Sequence, residues 1–148
     1  AQAILAQSVL ATSLPNVWVT AHLGASMAGK PITTMMLSNL HCGVSVEELI
    51  DALNTSGLHN RFNLVHLVSS GSSSASRASN RGYAFVNFLT PQDAQHCARV
   101  FEGFSFRETS EKTTIVRTST VQGFSQSLAM LAKSMRKKKL AGPVVLCF

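Results

Sequence analysis

The stretch Arg81-Gly82-Tyr83-Ala84-Phe85-Val86-Asn87-Phe88 reads as a single β-strand with two unlike faces. Alternation with a period of two sends Ala84, Val86 and Phe88 one way and Tyr83, Phe85 and Asn87 the other. The first set is apolar and suits a core. The second puts two aromatic rings on the opposite face, roughly 7 Å apart along the strand. That spacing suits two unstacked bases, each lying on its own ring. Arg81 stands at the strand's entrance, within reach of a phosphate, and Gly82 leaves room for another backbone. An ordinary amphipathic strand with two surface aromatics is the plain alternative. The joint presence of a basic residue, a glycine and two rings at these positions argues against it.

The elements around this strand follow from local signals. Thr33 to Leu40 is a strand, with Met35 and Leu37 on one face and Met36 and Ser38 on the other. Ser45-Val46-Glu47-Glu48 is a capping box, and Val46, Leu49, Ile50 and Leu53 then recur at helical spacing until Gly57. Arg61 to Ser69 reads as a strand with Val65 and Leu67 inward and Phe62, Leu64 and His66 on the other face. Thr90-Pro91 starts a second helix, which buries Ala94, Cys97, Ala98 and Phe101 and stops at Gly103. Lys112 to Ser119, rich in threonine and β-branched residues, is the fourth strand. The order β-α-β-β-α-β predicts an α+β, ferredoxin-like fold. Its four-stranded antiparallel sheet carries two helices on one face and leaves the other face open. A third helix is expected from about Val121 to Lys139, with Phe124, Leu128, Leu131 and Met135 as its stripe. Gly142-Pro143 breaks it, and Val144 to Phe148 is a short apolar tail that can form a strand.

The 148 residues suit one domain with extensions. Residues 1–31 read as a partly ordered linker, 32–120 as the domain, and 121–148 as a helix and tail packed on it. Residues 69–80 are a Ser/Gly/Ala-rich flexible loop carrying Arg77. The net charge of +6 favours a polyanionic partner. No apolar run reaches the 18 or so residues a membrane helix needs, so no membrane partner is expected. No positive region precedes an apolar stretch near the N-terminus, so no secretory signal is expected either. Cys42, Cys97 and Cys147 have no paired spacing and suit a reducing compartment. His41-Cys42 and His96-Cys97 invite a zinc reading, but adjacent residues rarely chelate one ion together, and no metal or other cofactor is expected.

With these elements in place, the octamer resembles the signature strand of the RNA recognition motif at every defined position. Thr33-Thr34-Met35-Met36-Leu37-Ser38-Asn39, with methionine where that motif usually has a stacking aromatic, resembles the C-terminal motif of the Mei-two-like family of meiotic regulators. Gly82 to Phe88 followed by Pro91 and Asp93-Ala94 is similar to that family's third strand and second helix. Val121-Gln122-Gly123 leading into an added helix, then Pro143 and a hydrophobic end, resembles its C-terminal extension. Two basic features of the family are missing here. His41-Cys42-Gly43-Val44 stands in place of a Pro-Asn-Lys-aromatic run, and Thr120 stands in place of an arginine. The resemblance implies single-stranded RNA as ligand. It also implies a role in meiotic or developmental control of transcripts, in the nucleus or the cytoplasm.

The residues point to a monomeric, non-enzymatic binding module. Tyr83 and Phe85 stack bases, Met36 and His66 flank them, Ser38 and Asn87 complete the face, and Arg81 with Arg77 holds phosphates. Lys137 and Lys138 belong to a basic run that suits phosphates or nuclear import. Another protein, docking through the added helix, is the second partner class. In that reading the helix folds across the open face and hides Tyr83 and Phe85. Packing at the domain's edge is the expected placement of the helix. An enzyme of the same α/β plait would need an arginine in the loop after the first strand, and that loop has none. No carboxylate pair or Ser-His-Asp set is evident.

Overall fold

The computed structural model describes residues 29–69, 79–137 and 142–147. Within them β1 (Thr34–Ser38), α1 (Val46–Leu53), β2 (Phe62–Ser69), β3 (Asn80–Phe88), α2 (Pro91–Phe101), β4 (Ile115–Thr118), α3 (Phe124–Arg136) and β5 (Val144–Leu146) follow in chain order. The strands form one antiparallel sheet in the order β4-β1-β3-β2-β5. The β-α-β-β-α-β core is therefore as expected, and the tail adds a fifth strand to the anticipated four. Residues 1–28 of the expected linker and 70–78 of the loop carrying Arg77 lie outside the described residues.

Both early helices start on the signals in their sequence. The Ser45 hydroxyl accepts from the Glu48 amide at 3.2 Å, and the Ser45 amide donates to the Glu48 carboxylate at 2.9 Å. Each bond satisfies an amide that the first helical turn leaves without a partner. Arg107, from the segment before β4, meets Glu48 at 2.8 Å and so ties this helix start to that segment. That bond, with the Ser45 amide, holds the Glu48 carboxyl below the usual carboxylate range. α1 runs into a π-helical turn over Asn54–Leu58, within which Gly57 (φ 82°) breaks the helical conformation. α2 opens on Thr90, whose hydroxyl accepts from the Asp93 amide, with Pro91 at the first position.

One core lies between the sheet and these two helices. Met35, Leu37, Val65, Leu67, Ala84, Val86 and Phe88 meet Leu49, Leu53, Ala94, Cys97 and Phe101 there. Burial pushes the Cys97 thiol up to about 12, as desolvation of a thiolate requires. His96 instead meets the Ser56 carbonyl at 2.8 Å. Among the described residues no three His, Cys, Asp or Glu side chains gather as a metal site would need. No described helix is long and apolar enough to cross a membrane.

Two expectations about side-chain direction are corrected. Phe62 belongs to the core and does not share a face with Leu64 and His66. The register of β2 on β3 shifts between Phe62 and Leu64, and the extra residue, Asn63, reverses the alternation at that point. On α3 the buried positions are Ser127 and Leu131, while Leu128 and Met135 are 38% and 45% exposed. The inward stripe is thus rotated from the one that hydrophobicity alone picks out.

The placement of α3 is the third correction. The helix lies over part of the sheet face opposite α1 and α2, not at the domain's edge. Ser127, Met130 and Leu131 close a seam against Thr34, Leu64, His66, Phe85 and Ser119. The chain then returns along the outer edge of β2 as β5, pairing Val144 with His66 and Leu146 with Leu64. Gly142 makes this return possible. Its φ is 124°, and a Cβ there would sit on the Leu67 carbonyl oxygen.

Candidate nucleic-acid interface

The strand registers arrange the face opposite α1 and α2 in three cross-strand rows. The first holds Ser119, Thr34, Asn87 and Leu64. The second holds Arg117, Met36, Phe85 and His66, and the third Ile115, Ser38 and Tyr83. All four residues of the first row are buried. In the second row His66 is buried, Phe85 and Met36 are half-buried, and Arg117 is exposed. The third row is half-buried throughout. The cover from α3 therefore runs diagonally, closing the first row and the β2 end of the second.

What anchors this cover is Gln122. Its side-chain oxygen accepts from the amides of Thr33 and Thr34, both at 2.9 Å. Its side-chain nitrogen donates to the carbonyls of Thr34 (2.9 Å) and Ser119 (2.7 Å). The Gly123 amide donates to the Thr34 hydroxyl at 2.9 Å, and that hydroxyl donates to the Asn87 amide oxygen at 2.7 Å. The sheet end, the turn and the start of α3 are thus one hydrogen-bonded unit.

Each residue expected at the site can now be placed. The rings of Tyr83 and Phe85 meet edge to face, with centroids 5.9 Å apart and planes at 87°. Both keep part of their surface in solvent. Met36 lies beside Phe85 on β1. Ser38 lies beside Tyr83, its hydroxyl donating to the Ile115 carbonyl at 3.0 Å. Arg81 is exposed at the start of β3.

His66 is on the predicted face but 0% exposed, stacked on Phe85 beneath α3, so it is not an open flank of the ring pair. Asn87, at 3% exposed, is also corrected. Its oxygen accepts from the hydroxyls of Thr33 and Thr34, and its nitrogen donates to Asn63 at 2.7 Å. That amide builds the sheet end and does not face solvent. Lys137 is exposed at the end of α3. Arg77 and Lys138 lie outside the described residues.

Two residues at this face escaped the sequence reading. Arg117 was open to it, because Val116 packs on the core and alternation sends Arg117 outward with Ile115. Gln122 was noted only within the Val121-Gln122-Gly123 run, and its anchoring role was not legible because its partners at Thr33 and Thr34 lie some 88 residues earlier in the chain. The two exposed rows carry two half-exposed rings, a thioether and a guanidinium, and no carboxylate. Such a patch offers π-faces and positive charge to a ligand that is flat and anionic.

No family model and no curated protein matches the chain. Among solved structures, the RRM of RNA15 is similar over 61% of this chain and 92% of that one, at 16% identity and a TM-score of 0.47. A structure of the same RRM "with bound RNA (GU)" is similar over 68% of this chain and 96% of that one, at 15% identity and a TM-score of 0.48. The α+β, ferredoxin-like assignment stands on the strand order and on the two helices sharing one face.

Proposed function

We propose that this domain binds single-stranded RNA on the part of the sheet face that α3 leaves open. The observation that carries the reading is the half-exposed pair of Tyr83 and Phe85 on a carboxylate-free patch, with Arg81 exposed on the same strand and Arg117 exposed on β4. Each ring offers a stacking surface worth about 1–3 kcal/mol per base. Two such bases and a few phosphate contacts give an affinity on the order of micromolar. Ligand discrimination would come from the base edges, and phosphates would set register and salt dependence. The resemblance to Mei-two-like proteins supports the finer proposal of transcript control in meiosis or development.

Fluorescence anisotropy with mixed short RNAs tests the reading. Tyr83→Ala with Phe85→Ala should weaken binding by about 2–6 kcal/mol. Wild-type protein that fails to bind any RNA at low salt would sink it.

The position of α3 favours one further reading, a protein-interaction domain whose face is already partly filled. Leu128 and Met135 point away from the sheet and would then meet the partner. RNA binding that appears only after residues beyond Gln122 are removed would support that reading.

A further inference from the structure

β5 is the last strand of the sheet, and one of its sides is open. In its antiparallel pairing with β2, the Pro143 carbonyl accepts from the Leu67 amide at 3.2 Å, and the Cys147 amide donates to the Asn63 carbonyl at 3.1 Å. In an antiparallel ladder such bonding falls on every second residue. Pro143, Val145 and Cys147 therefore turn their backbone groups toward β2, and Val144 and Leu146 turn theirs outward. Among the described residues no strand pairs with that side. A sheet edge is usually protected by a lysine, an inward charge, a bulge or a proline. Residues 144–148 contain no charged residue and no proline. The register of β5 on β2 runs without a shift. What blunts this edge is its length alone, three residues. Leu146 is 38% exposed, and Val144 and Val145 are half-buried.

We infer that β5 is a self-association edge, pairing antiparallel with β5 of a second copy of this chain about a two-fold axis at Val145. The outward parity makes this register self-complementary. Val144 of each copy faces Leu146 of the other, and each of these residues donates its amide and accepts on its carbonyl, so every outward group finds a partner. A second copy is the occupant this edge specifies. It brings an uncharged strand of equal length, in the register the edge requires, and sets no charge against the apolar side chains. Three residues a side fall far short of the roughly 20–30 of a stable interface, so the dimer is weak and forms as concentration rises. The axis stands perpendicular to the sheet, so the open faces of the two copies lie on one side of a continuous sheet. The dimer itself needs no RNA and stands apart from that reading.

Sedimentation velocity of the whole chain without RNA, over a wide range of concentration, tests the edge. The sedimentation coefficient should rise with concentration. Leu146→Lys, at an exposed position, should hold it at the monomer value and leave the thermal melt unchanged. Cross-linking tests the register, in a background carrying Cys42→Ser and Cys147→Ser. With oxidised glutathione, Val145→Cys should give a disulfide-linked dimer, because opposed residues of a non-hydrogen-bonded pair stand about 4.5 Å apart at Cα. Leu146→Cys, which faces a valine, should cross-link far more slowly. A sedimentation coefficient independent of concentration, with no dimer from Val145→Cys, would overturn the proposal. A rise that survives Leu146→Lys would put the contact elsewhere on the surface and overturn it too. Faster cross-linking of Leu146→Cys than of Val145→Cys would overturn the two-fold at Val145.

Discussion

His66 lies nearly parallel to Phe85, with 6.4 Å between ring centroids and 19° between planes. One ring is fully buried and the other half-exposed, so the aromatic surface continues from solvent to a closed seam under α3. Phe85 is thereby both part of the open face and a wall of the closed seam. Tyr83, which does not line that seam, serves only the open side.

The two rings should consequently respond differently to truncation. Tyr83→Ala should weaken RNA binding by about 1–3 kcal/mol while leaving the urea midpoint nearly unchanged. Phe85→Ala should weaken binding similarly and also lower stability by about 1–3 kcal/mol, because it opens the seam against Leu131. Equal losses of stability in the two variants would contradict this division.

His66→Ala should lower stability by about 1–3 kcal/mol through the space it leaves under α3. RNA affinity of the folded protein should change less than twofold. A tenfold loss at full foldedness would instead put the imidazole against the ligand.

Gln122→Ala removes four hydrogen bonds that join α3 to β1 and to the end of β4. Leaving these part-buried backbone groups unmatched should cost about 1–3 kcal/mol. Hydrogen exchange should show α3 opening before β1 and β3, with RNA affinity rising as the first row is uncovered. Unaltered protection of α3 would mean the seam, not the glutamine, holds the helix.

The Glu48 carboxyl is held below its ordinary range chiefly by the Arg107 hydrogen bond and next by the Ser45 amide. A depressed folded pKa contributes stability that is present above the unfolded value and lost as pH falls through the folded one. Glu48→Gln should therefore lower stability at neutral pH and flatten the loss seen on acidification. The side chain is 42% exposed, so the effect should be under about 1 kcal/mol and shrink in high salt. Thermal melts from pH 7 to 3 would show parallel curves if the pair contributes nothing.

Much of the fold was legible because its signals are local. The octamer's alternation, the capping box at Ser45 and the Thr90-Pro91 start each act within a few residues. The site was only half legible. Nothing around Asn63 marks the bulge that turns Phe62 into the core. On α3, hydrophobicity favours Leu128 and Met135, but the helix approaches the sheet on small Ser127 and on Leu131. The burial of His66 and Asn87 depends on where that helix lands. Their positions on a strand reveal the face they occupy but not what covers it.

The helix over the face is fastened at both ends. Gln122 and Gly123 bind its start to β1, and β5 zips the chain after it onto β2. A lid needs one free end to swing, and α3 has none. It is a strap, and moving it aside requires breaking strand pairing or the Gln122 bonds. If the face binds RNA as proposed, the length of strand it can hold is then set by the fold.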